Sequence, residues 1–296
     1  MMDDGRWMMD PGAGRLRWLS VMVAAGLFLG CDGGTEEADP PVGALVFSLN
    51  GEGFAREGFV SEDGWRVDFD HVWVNVAGPT AFQVVETEEL DQALLILHAG
   101  HPHAEIPEGS AHIALLGAFL VDVHQGDGPT ELGTIDDAPI GNYNRLSFSL
   151  APATAESQGF VEECDGASLI LQGVAKKDDQ EIPFTIRLDE AIDFTACGPH
   201  PEDIGVLAED ATAEVELTLH FDHLFGDVDE GPADTDDPET VNHLAIGFGP
   251  FAALAADGAV DLAQADLEAM PEWDQLLEAL LTLGHTGEAH CNATQR

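Results

Sequence analysis

Apolar and polar residues alternate most regularly in residues 65–76 (WRVDFDHVWVNV). There Val67, Phe69, His71, Trp73 and Asn75 fall on one side of an extended chain, and Arg66, Asp68, Asp70, Val72, Val74 and Val76 on the other. A period of two in a run rich in Val, Phe and Trp predicts a strand. Residues 44–49 (ALVFSL), 118–124, 144–150, 168–174 and 182–188 have the same chemistry, and Lys176-Lys177-Asp178-Asp179 reads as the hairpin turn between the last two. Residues 213–221 (AEVELTLHF) give the cleanest strand: Val215, Leu217 and Leu219 face a core, with Glu214, Glu216, Thr218 and His220 on the other side.

Helical spacing is confined to a few segments. Residues 86–98 (ETEELDQALLILH) place acids in a first turn and are followed by Gly100 and Pro102, which predicts a short helix. Residues 261–270 and 271–283 predict two more; the second is apolar at Trp273, Leu276, Leu277, Leu280 and Leu281, with Pro271 in its first turn and Gly284 at its stop. Residues 227–239 (DVDEGPADTDDPE) have loop composition. The pattern describes a mainly β chain: an antiparallel β-sandwich over residues 43–226, an acidic loop over 227–242 and a small carboxyl-terminal helical appendage over 243–296.

The amino terminus has a different character. Residues 18–30 (WLSVMVAAGLFLG) are uncharged and apolar and follow Arg15 and Arg17, the order that a secretion machinery reads. The run falls short of the roughly 20 apolar residues of a spanning helix, so residues 1–30 are expected to be a cleaved signal peptide. Leu27-Phe28-Leu29-Gly30-Cys31 resembles the lipobox of bacterial lipoproteins. That resemblance implies lipidation of Cys31, and acyl chains hold at about 0.8 kcal/mol per buried methylene. Residues 31–42 then form a small, polar and Pro-containing tether. The expected location is exported and lipid-anchored to a bacterial membrane, on its periplasmic face or at the cell surface.

Charge narrows the partners. The formal net charge is −46, and because Arg6, Arg15 and Arg17 balance Asp3, Asp4 and Asp10 in the leader, all of it lies on the exported part. Nucleic acid and anionic lipid surfaces need Lys and Arg to neutralise phosphates, so neither is an expected partner. The membrane contact is the lipid alone, and no protein partner is indicated. The acids are spread along the whole chain, which favours adaptation to a salty medium over a dedicated hard-cation site.

Three cysteines follow Cys31, enough for one disulfide in an oxidising compartment with one thiol left over. Cys164 with Cys197 brackets the predicted hairpin and is the preferred pair; Cys197 with Cys291 would instead tie the carboxyl end to the core.

Histidine is the residue to weigh, with 12 in a chain poor in other basic side chains. Neutral imidazole is the commonest transition-metal ligand, and an acidic field favours a cation. One group is His98, His101 and His103. A second is His220, Asp222 and His223 in HFDHLF, where an extended strand would put His220 and Asp222 on one face and His223 on the other unless the chain bends. A third, His285, His290 and Cys291, either folds back to complete a site or forms a tail held by Cys291. A zinc hydrolase would need His101, His103 and His124 around one point. Calcium is not expected: residues 256–262 resemble the second half of an EF-hand loop, but Ala253, Ala255 and Gln264 stand where oxygen ligands belong. The sequence has no nucleophile elbow, phosphate-binding glycine loop, HExxH or CxxC.

Residues 213–225 (AEVELTLHFDHLF) and the DGW-x-V-x-F-D segment at 63–70 resemble a group of secreted bacterial lipoproteins without an assigned activity. That resemblance implies a shared structural or ligand role for His220, Asp222 and His223. A fainter similarity, through Gly141-Asn142-Tyr143, Leu171-Gln172-Gly173, Phe184 and Cys197, is to the copper-linked periplasmic proteins of the metallo-mystery pair. The leading expectation is a non-enzymatic envelope lipoprotein binding zinc or copper through His220, Asp222 and His223, with help from His98, His101 or His103. The alternatives are a structural or interaction lipoprotein with no ligand site and the zinc hydrolase.

Overall fold

The computed structural model describes residues 40–85, 105–199, 204–230, 241–287 and 289–296. The leader with Cys31, the helix expected over 86–98, His98, His101, His103 and most of the acidic loop lie outside these residues.

From the amino end, β1 (Val42–Asn50) leads through helix α1 (Glu52–Glu57) to β2 (Phe59–Val60) and the long β3 (Arg66–Gln83). Then come β4 (Ala111–Ala114), β5 (Ala118–Asp122), β6 (Thr130–Pro139), β7 (Gly141–Asn142) and β8 (Arg145–Leu150). The expected hairpin is β9 (Leu169–Lys177) and β10 (Gln180–Leu188), followed by β11 (Ile192–Cys197), β12 (Val206–Leu207) and β13 (Thr212–Leu219). Short helices α2 (Asp222–Phe225) and α3 (Gly249–Ala252) precede β14 (Val260–Leu262), α4 (Gln264–Leu267) and α5 (Trp273–Leu280). The chain closes with β15 (Gly284–Thr286), β16 (Ala289–His290) and β17 (Asn292–Gln295).

These strands form a five-stranded sheet, β16-β15-β13-β1-β6, and a ten-stranded sheet whose main path is β14-β10-β9-β3-β8-β11-β17. Both are mixed: β1 runs parallel to β13 and β10 parallel to β14, while the other ladders between them are antiparallel. Leu45, Phe47 and Leu49 of β1 and Val215, Leu217 and Leu219 of β13 meet Val67, Phe69, Val72 and Val74 of β3 and Phe184 of β10 in one core. Each such side chain, fully buried, contributes about 1.5–3 kcal/mol. Phe69 lies 5.9 Å from Phe184 and 6.4 Å from Phe221, so the aromatic centre of the core reaches the segment after β13.

The strand expected over 65–76 is present, but its alternation changes phase. Val67 and Phe69 are buried, Asp70 is exposed, and from there Val72, Val74 and Val76 are the buried set. The register against β9 slips at the same place, Phe69 facing Gly173 and His71 facing Gln172. One extra residue in a bulge moves every later side chain to the other face. Gly173 is required opposite it, because a Cβ there would run into the Asp68 carbonyl.

Two further expectations are corrected. The segment expected to open a helix at 261 is instead β14, drawn into a parallel pairing with Phe184–Ile186, and the helices that follow are shorter than 261–270 and 271–283. The strands around them join both sheets, so the helical appendage is stitched into the β core at its ends. The disulfide is Cys197–Cys291, not Cys164–Cys197. Thr195 of β11 pairs with Asn292 of β17, which brings Cys291 beside Cys197. Cys164 ends a 3-10 turn in a separate small cluster with Leu120, Ala153, Ala167 and Ile170. Burial pushes its thiol up to about 11, which keeps it protonated and unreactive. Among the described residues no helix is long and apolar enough to cross a membrane.

Candidate metal centre

Strand β13 stays extended as far as Leu219, then turns into α2, with the His223 N–H bonded to the His220 carbonyl at 3.3 Å. Phe221, Leu224 and Phe225 are buried in the core and anchor that turn. The turn replaces a strand's two-residue period with helical i, i+3 spacing, which brings His223 to the side of His220. Their ring centroids are 5.4 Å apart.

The end of β13 that carries Thr218 and His220, on the side with polar residues in the sequence pattern, is paired along its edge with β15. Thr218 pairs with His285 and Leu219 with Gly284, and the His220 N–H bonds the Leu283 carbonyl. Gly284 lets β15 pack closely on β11 of the other sheet, since a Cβ there would collide with the Phe194 ring. His285 stacks on His220 with centroids 4.1 Å apart and planes 10° apart, and it lies 5.0 Å from His223. His290, paired with His285 across the β15–β16 hairpin, caps the group at 4.2 Å and is solvent-exposed.

His220, His223 and His285 each offer a ligand atom within 4.8 Å of the other two, and all three are buried. Zinc–nitrogen bonds of about 2.0–2.1 Å put tetrahedral ligands roughly 3.4 Å apart, so closing on an ion asks for ring movements on the order of 1 Å. Two of the rings have their tautomers fixed by one residue. His223 Nδ1–H donates to the Thr282 carbonyl at 3.1 Å and to Oγ1 at 3.0 Å, while the Thr282 hydroxyl donates to Ala279. His285 Nε2–H donates to the same carbonyl at 2.9 Å. A carbonyl can only accept, so the lone pairs are on His223 Nε2 and His285 Nδ1. The latter is buried and has no hydrogen-bond partner among the described residues. Burial first, and then the neighbouring rings of His220 and His290, push the His223 imidazole down to about 3 and that of His285 to about 2. Both are therefore neutral at physiological pH, the form that binds a metal.

The remaining sequence candidates are placed differently. Asp222, expected as a ligand beside His220, is buried but is not part of the three-residue set, because the chain turns where an extended strand would have aligned the two. His98, His101 and His103 lie outside the described residues, so the hydrolase set is represented only by His124. Its Nδ1 meets the Ala55 carbonyl at 2.8 Å. His71, near the bulge, pairs with buried Asp122 at 2.6 Å and stacks on Trp73; among the described residues it belongs to no group of three ligand side chains. His285 is the member of the three-histidine group that the HFDHLF segment alone does not supply. Its one signal in the sequence is its grouping with His290 and Cys291; the segment folds back beside His220, and Cys291 is fastened to Cys197.

The fold and site define a mainly β protein with a buried three-histidine group that could hold a metal ion. Comparison with family models, curated proteins and solved structures gives no match. The fold and the site therefore rest on the chain's own residues.

The depressed imidazoles make the metal-free protein acid-sensitive. An unfolded histidine takes up a proton below about 6.5, whereas folded His223 and His285 stay neutral to about 3 and about 2. Between those limits the unfolded state binds more protons, so stability is complete above pH 6.5 and falls as the pH drops toward 3. Melting temperatures of chelator-treated protein from pH 7.5 to 4 should decline, and a His223→Gln/His285→Gln variant should decline less steeply. Parallel profiles would refute the assignment.

Proposed function

We propose that this chain is an exported envelope lipoprotein whose β domain binds one transition-metal ion, zinc or copper, through His220, His223 and His285. The observation that carries the reading is the convergence of three buried imidazoles from two separate segments, with ligand nitrogens within 4.8 Å. An all-imidazole set suits zinc or copper, and it lacks the oxygen ligands that calcium requires. The lipid anchor is supported by the apolar run at residues 18–30 ending on Cys31. The strongly acidic surface keeps the domain soluble at the membrane and raises the local concentration of cations.

The test is elemental analysis of protein purified without an affinity tag, together with fractionation of cells producing Cys31→Ser. About one zinc or copper per chain is expected, and the variant should move from the membrane to the soluble fraction. Protein free of both metals after reconstitution would overturn the first part, and a variant that stays in the membrane the second.

A further inference from the structure

We propose that Glu52 is the carboxylate that orients His220 in the metal centre, accepting the Nε2 proton so that Nδ1 serves the ion. The proposal rests on the three-histidine reading above and adds the residue that fixes its third ring. In His223 and His285 one nitrogen is tied to the Thr282 carbonyl and the other carries the lone pair. In His220 the matching contact is looser: its Nε2 lies 3.5 Å from Glu52 Oε2, an ion-pair distance with no hydrogen bond formed between the two, and the side chains are 7% and 27% exposed. The ring movement on the order of 1 Å that closing on an ion requires would complete that bond. Metal-binding imidazoles almost always give their other N–H to a carboxylate or carbonyl, which fixes the tautomer and raises the basicity of the ligand nitrogen. Glu52 is not part of the set of converging ligand atoms. Its carboxylate therefore serves His220, which makes Glu52 a positioning residue.

The backbone around Glu52 is arranged to aim it. Glu52 has φ +55°, in the left-handed region that favours glycine. Its N–H is held by Asn50 Oδ1 at 2.8 Å, and Asn50 in turn is held by Arg56 at 2.9 Å and by Glu216 at 2.9 Å. Glu216 lies on β13, the strand that ends beside His220, so the turn bearing Glu52 is registered against the strand bearing the ligand. Glycine would relax that backbone; what it could not supply is the carboxylate, which also offers a counter-charge to a cation held by imidazoles.

The test is zinc titration against a chromophoric chelator for wild type and for Glu52→Ala, Glu52→Gly and Glu52→Gln, with melting curves in the absence of metal. Glu52→Ala and Glu52→Gly should bind zinc about 10–100-fold more weakly. Glu52→Gly should melt no lower than wild type, separating the metal effect from folding. Glu52→Gln should keep most of the affinity, because its amide oxygen still accepts from Nε2–H. Wild-type affinity in Glu52→Ala would overturn the proposal and leave the centre standing. A loss in Glu52→Gln as deep as in His223→Ala would overturn it by making the carboxylate a direct ligand. Absence of zinc binding by the wild type would instead remove the centre itself.

Discussion

Alanine in place of His223 or His285 should weaken zinc binding by about 100-fold. A four-ligand structural zinc site is worth roughly 10–16 kcal/mol, or about 3 kcal/mol per ligand, and 1.4 kcal/mol is a factor of ten. Both rings are buried and held by the Thr282 carbonyl, so truncating either one removes a pre-placed ligand nitrogen. The exposed His290 stands at the edge of the group, and His290→Ala should change affinity less than tenfold. The same difference should appear in thermal shifts. A ligand at 100 times its Kd stabilises by about 2.7 kcal/mol, and that gain should vanish in the His223 and His285 variants. Equal affinity in wild type, His223→Ala and His285→Ala would dismiss the centre.

Removing the disulfide has the second large effect. Cys197 and Cys291 are 94 residues apart, and closing a loop of that size is worth up to about 4.7 kcal/mol on the chain-entropy account. Cys197→Ser/Cys291→Ser should lose roughly 2–5 kcal/mol of stability, which lowers Tm by about 5–15 °C in a domain of this size. The loss should extend to the histidines. The Cys291 N–H bonds the Gly284 carbonyl and closes the hairpin that presents His285, so a hairpin no longer fastened to β11 holds its ring less well. Differential scanning calorimetry and zinc titration read the two effects separately, and an unchanged Tm would contradict the role given to the bond.

How much of this was legible in the sequence depends on whether the deciding contact was local. The hairpin of β9 and β10 and the inward set Val215, Leu217 and Leu219 follow from period two and are found where the alternation puts them. The phase change at Asp70 was hidden, because a bulge preserves the appearance of alternation on either side while exchanging the faces. Strand β14 carries no strand signal in the sequence, because a three-residue parallel pairing leaves no periodicity to detect. In the site, HFDHLF announced His220 and His223, but choosing between Asp222 and His223 required knowing that Phe221 and Phe225 turn the chain into the core. His285 and Glu52 reach the site through pairings with distant segments, and no local pattern ranks them above the other histidines and acids. The disulfide was misjudged for the same reason: what brings Cys291 to Cys197 is the β11–β17 ladder.

The parallel ladder between β1 and β13, with Ala44 opposite Thr212, bears on the order in which the molecule can be assembled. A chain made from its amino end must hold β1 without that partner until most of the sequence has emerged, and contacts between such distant segments form slowly. His220 sits just beyond the far end of that ladder and His285 later still. Capture of an ion by the three histidines would then be the closing event of folding, open only to a chain in which β1, β13 and β15 have already met.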